Sequence, residues 1–108
     1  MKANYCHKGE SLDYVNKTEV KIEAGDVLTL GGRIGVAGTD IAPGELGSVH
    51  VSGVYELPKK DKAELIVGTV VYLAADGITT TKTDNTPAGY VAAVSSAESG
   101  SVWVKINA

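Results

Sequence analysis

The chain has 108 residues, a single cysteine and a formal net charge of −3; a chain of this length forms one domain that buries about two-thirds of its unfolded surface without a covalent staple. One cysteine rules out an internal disulfide, and a mildly acidic chain lacks the clustered positive field that nucleic acid or an anionic membrane selects, so neither is an expected partner. No apolar run approaches the roughly 18 residues of a membrane span, and MKANYCHKGESL has no hydrophobic centre of the kind a signal peptide needs, so a cytoplasmic protein, or one assembled there, is expected.

Residues 1–18 are more polar and less periodic than the rest and read as an N-terminal arm or an edge strand, leaving 19–108 as a single β domain. From there the hydrophobic signal has period two, which places alternate side chains on opposite faces of a pleated strand. EVKIE turns Val20 and Ile22 inward, and strands follow at Asp26 to Leu30 and Arg33 to Ala37. The glycines of LGGRIGVAGTDIAPGELG do not form a dinucleotide fingerprint or a Walker A loop, and Pro43-Gly44 interrupts before a helix can grow; they read as turn residues.

GSVHVSGVYEL reads as one long strand with Val49, Val51, Gly53, Tyr55 and Leu57 on one face and His50 on the other. PKKDKAEL is the one candidate helix, a single turn near residues 58–65 with Lys59, Asp61, Lys62 and Glu64 toward solvent. Further strands are expected at Thr69 to Leu73, Ile78 to Thr81 and Gly89 to Val94, and SVWVKIN closes the chain. Long internal repeats are not evident. About eight short strands, with turn signals at spacings of roughly 8 to 12 residues, describe an all-β fold, a small antiparallel barrel or sandwich. Its core is expected from Val20, Ile22, Val49, Val51, Tyr72, Val102, Val104 and Ile106.

Chemistry-bearing groups are sparse. Cys6 and His7 are adjacent, which on a strand sends them to opposite faces, and no further Cys or His lies at metal-ligand spacing. The carboxylates are scattered through turns and polar faces. No catalytic residue, metal ligand or cofactor site is therefore assigned, and the chain is read as not an enzyme. Lys62, in an Asp-Lys-Ala stretch, resembles the attachment lysine of lipoyl carrier domains over three residues. Trp103 falls on the face opposite Val102, Val104 and Ile106, beside Ser101 and Lys105, where a large aromatic either is covered or anchors a contact.

The succession AGDVLTLGGRIGVAGTDIAPGELGSVHVSGVYELPK, then VGTVVYLAADGITTTKTDNTPAGYVAAV, then SVWVKIN resembles the DUF2190 family of small phage proteins, described as capsid cement or decoration proteins. The matching features are Gly25-Asp26 opening a strand, the glycine-rich hairpin with Gly35-Val36, the Ala42 to Glu45 turn, Leu57-Pro58-Lys59, the Val71 to Thr81 strand and turn, and the Asn85 to Gly89 turn. A recombinase label that similar proteins have carried finds no support, because the chain has no Walker A lysine and no βαβ pattern. The resemblance implies a virion protein, assembled in the bacterial host cytoplasm, that binds the major capsid protein. It also implies a homo-oligomer, with a trimer as the expected form, whose contacts draw on Trp103, Lys105, Tyr5 and Tyr14. The alternatives that sequence leaves standing are a non-enzymatic β interaction module of another assembly and a carrier domain modified at Lys62.

Overall fold

The computed structural model describes residues 1–108 and contains nine strands and no helix. They are β1 (Ser11–Val15), β2 (Val27–Leu30), β3 (Arg33–Ala37), β4 (Leu46–His50), β5 (Val54–Pro58), β6 (Val70–Ala74), β7 (Gly77–Thr79), β8 (Thr86–Val91) and β9 (Ser101–Ile106). Two antiparallel sheets form, one in the order β1-β4-β3-β2 and one in the order β5-β9-β8-β6-β7. The second sheet curls until Lys59, just past β5, makes a parallel bridge with Ile78 of β7. That closure depends on Gly77: a Cβ there would lie 2.8 Å from the Pro58 carbonyl oxygen and 3.0 Å from the Lys60 nitrogen.

The sheets are two copies of one four-stranded unit. The five pairs from Ser11↔His50 to Val15↔Leu46 recur as Val54↔Lys105 to Pro58↔Ser101, and Val36↔His50 with Ala37↔Val49 recurs as Tyr90↔Lys105 with Val91↔Val104. Bonds outside the ladders repeat as well. Ile22 and Ile41 exchange both backbone hydrogen bonds, as do Leu65 and Ser95; the Gly25 N–H reaches the Ala37 oxygen as the Gly68 N–H reaches that of Val91; and the Val51 N–H reaches Glu10 as the Ile106 N–H reaches Gly53. Even a side chain is mirrored in role. The Asn16 amide donates to the oxygens of Val20 and Ile41, and the Lys59 ammonium, at the matching position, donates to Ala63 O, Ser95 Oγ and Ser96 O. Strand β7 is the second unit's addition.

This duplication corrects the reading that the chain lacks long internal repeats. Few identities survive between the units, among them Gly25/Gly68, Val27/Val70, Leu30/Leu73 and Val49/Val104, so the repeat lies in hydrogen-bonding pattern rather than in residue identity.

The larger core is built from the inward side chains of the second unit, including Leu57, Leu65, Val71, Val91, Val102, Val104 and Ile106, and is joined by Ile34 and Val36 from β3 of the first. A smaller cluster of Ile22, Ala37, Ile41 and Val49 lies inside the first unit. Asn107, at φ 58°, ties the units together: its amide donates to the oxygens of Ile34 and Val51 at 2.7 and 2.9 Å, and its side-chain oxygen accepts the Ile34 N–H at 3.1 Å. A short polar side chain suits this left-handed backbone position.

Several expectations change. GSVHVSGVYEL is not one strand, because the chain bends at Ser52-Gly53 and delivers β4 to one sheet and β5 to the other. EVKIE contributes only the Ile22 bridge, and Val20 is 72% exposed rather than in the core. Val51 and Tyr72 are half-buried, whereas Ile22, Val49, Val102, Val104 and Ile106 are core residues as expected. The segment 58–65 forms no helical turn, since the Lys60 N–H goes to Ile78 and Asp61 is held by Thr79 and Thr80, both of which keep the chain extended along β7.

Candidate interaction surface

Strand β9 alternates strictly: Val102, Val104 and Ile106 are buried, while Trp103 and Lys105 project from the outer face of the second sheet. Register assembles the neighbourhood. Val54, Lys105, Tyr90 and Val70 are successive cross-strand partners on β5, β9, β8 and β6, and Glu56 lies opposite Trp103. Val54, Val70 and Trp103 are 51%, 60% and 53% exposed, so this row leaves large apolar groups in water.

The indole is held in place. Its N–H donates to Glu56 Oε2 at 3.3 Å, and the same oxygen accepts the Ser101 hydroxyl at 3.2 Å. Lys105 Nζ stands 5.9 Å from the centroid of the Tyr90 ring, within cation–π range. Exposed Val94 shares a cleft of about 450 Å³ with Trp103, Glu56 and the serines at 95, 99 and 101.

The four residues expected at an interface are not brought together. Trp103 and Lys105 share a face, Tyr14 is half-buried against the small cluster inside the first unit, and Tyr5 is 82% exposed in the segment before β1. Sequence reading missed Val54, Val70 and Tyr90. Their outward alternation within VYELP, VVYLA and TPAGYV was the available signal, but only strand order makes them neighbours of Trp103.

Elsewhere polar groups anchor turns. Asp61 accepts the Thr80 N–H at 2.9 Å and the hydroxyls of Thr79 and Thr80, and the Thr80 N–H chiefly holds its carboxyl below the usual value. Asp40 is lowered as well, first by the Ala24 N–H and then by Lys21 at 3.4 Å. Lys59 and Asp61, expected toward solvent, are thus structural. Lys62 lies in the connection between β5 and β6, which are not partners in the sheet, so it does not occupy the hairpin tip that a carrier lysine requires. Cys6 is exposed, and the His7 ring accepts the Gly9 N–H. His50 lies against Gly38, where a Cβ would stand 2.7 Å from its Nε2.

In class, this is a small all-β protein of two antiparallel sheets with an aromatic and aliphatic strand face turned outward. Comparison with known proteins makes this specific: the family model for phage cement protein matches residues 6–106, and the chain belongs to that family. It is therefore a phage structural protein associated with the capsid. No curated protein and no solved structure matches the chain significantly.

Proposed function

We propose that this protein binds junctions between major capsid subunits and stabilises the expanded lattice as a cement or decoration protein, without catalysis. The family match across residues 6–106 carries the reading, and the outward Val54–Trp103–Val70 face supports it by supplying the apolar anchors that contacts between proteins need. A protein that binds the expanded shell better than the immature one shifts the equilibrium toward expansion by its difference in affinity, and each bound copy adds stability by mass action. Modest affinity per contact is sufficient when many sites act together. The protein acts as a homo-oligomer, with a trimer the form expected.

The test is cosedimentation of purified protein with capsids that lack it, in expanded and unexpanded form. Saturable binding that favours expanded capsids is expected. Equal binding to both forms, or none, refutes the reading.

A further inference from the structure

The two units stack in one direction. Outward side chains of the first, Val27, Ile34 and Val36, pack into the cluster inside the second, where Tyr55, Leu73 and Ile106 lie. The matching positions one unit along have no further unit against them at either end of the molecule: Leu12 and Val70 are exposed, and Leu30, Val51 and Tyr90 are half-buried. Leu12, Leu30 and Val51, the counterparts of Tyr55, Leu73 and Ile106, line an open groove of about 360 Å³ together with Arg33 and Asn107, and Leu12 is 43% exposed. Val70 and Tyr90, the counterparts of Val27 and Val36, stand on the outer face beside Trp103.

We infer that copies of this chain dock head to tail, the Val70–Tyr90–Trp103 face of one seated in the Leu12–Leu30–Val51 groove of the next. The contact repeats between molecules the packing that joins the two units within one. A second copy is the fitting occupant because this chain already contains both halves of the joint. Arg33 borders the groove, the face carries Lys105 over Tyr90 as well as Glu56 beside Trp103, none of the three is in an ion pair, and Glu56 is the acidic group on that face available to Arg33. Such a contact is heterologous, so it closes into a ring when the rotation per step divides a full turn and otherwise propagates. The inference rests on the homo-oligomer reading above and assigns its surfaces.

Two variants at exposed positions test it, Val70→Glu on the face and Leu12→Glu in the groove, each checked for an unchanged circular dichroism spectrum. In sedimentation velocity the wild type should associate with rising concentration, and each variant should associate at least about tenfold more weakly. An equimolar mixture retains one intact face and one intact groove. Isotope-labelled Val70→Glu should therefore show shifted Leu30 and Val51 amides when unlabelled Leu12→Glu is added, and no shift when more unlabelled Val70→Glu is added. If the wild type associates and either variant associates equally well, the head-to-tail joint is wrong while the homo-oligomer stands. If the wild type stays monomeric at every concentration, both are wrong, and capsid binding is judged separately by cosedimentation.

Discussion

Gly89 is the position where one methyl group should cost most. It sits in β8 at φ 133°, paired with Val71 on one side and Ile106 on the other, beside the register shift that follows Val71. A Cβ built there would lie far inside van der Waals contact distance of the Lys105 carbonyl oxygen, 3.0 Å from that carbonyl carbon and 3.1 Å from the Asn107 nitrogen. All three atoms are backbone, so relief requires opening the β8–β9 ladder rather than turning a side chain. The disfavoured φ contributes about 1–3 kcal/mol, and loss of one or two ladder hydrogen bonds contributes about 1 kcal/mol each. Gly89→Ala should therefore destabilise by about 2–5 kcal/mol, a large share of the roughly 5–15 kcal/mol that holds a domain together. Gly44→Ala is the control: its φ is also positive, at 81°, but a Cβ there meets nothing within 4 Å, so only the conformational term applies. Urea and thermal unfolding followed by circular dichroism should place Gly89→Ala far below Gly44→Ala. Equal losses in the two variants would show that the close approach of β8 and β9 does not limit this position.

Asn16 is fully buried and makes four side-chain hydrogen bonds, so Asn16→Leu should lose about 2–4 kcal/mol in urea unfolding, and a loss under 1 kcal/mol would argue that the cluster it ties is dispensable. Asp61 has its carboxyl value lowered by folding, so the stability it confers is present above the unfolded-state value and disappears as pH falls through the lower folded-state value. Asp61→Asn should accordingly be less stable than wild type at pH 7, with the gap narrowing at about pH 3; an equal gap at both would contradict the ionised carboxylate's role. Trp103→Ala should leave the circular dichroism spectrum unchanged and weaken capsid binding or self-association, and loss of the folded spectrum would instead make Trp103 a packing residue.

The sequence carried local information well and long-range pairing poorly. The alternation of SVWVKIN assigned Val102, Val104 and Ile106 to the core and Trp103 to the outer face, because period two is a property of the strand itself. The same alternation misled across Ser52-Gly53, where the apolar phase continues through a bend that moves the chain between sheets. Val20 looked inward by its spacing from Ile22, yet Asn16 captures its carbonyl and the chain there loops past the sheet. The duplication left little trace because matched positions need only the same hydrogen bonds, which Asn16 and Lys59 supply with unrelated side chains. The outward face was half legible: Trp103 and Lys105 are neighbours on one strand, but Val54, Tyr90 and Val70 join them only through the order β5-β9-β8-β6.

Thermal release of packaged DNA most directly tests the cementing role. Filled capsids lacking this protein should release DNA at a lower temperature than the same capsids after purified protein is added back, and the difference should grow with occupancy until the sites saturate. An identical release temperature at full occupancy would contradict a stabilising function.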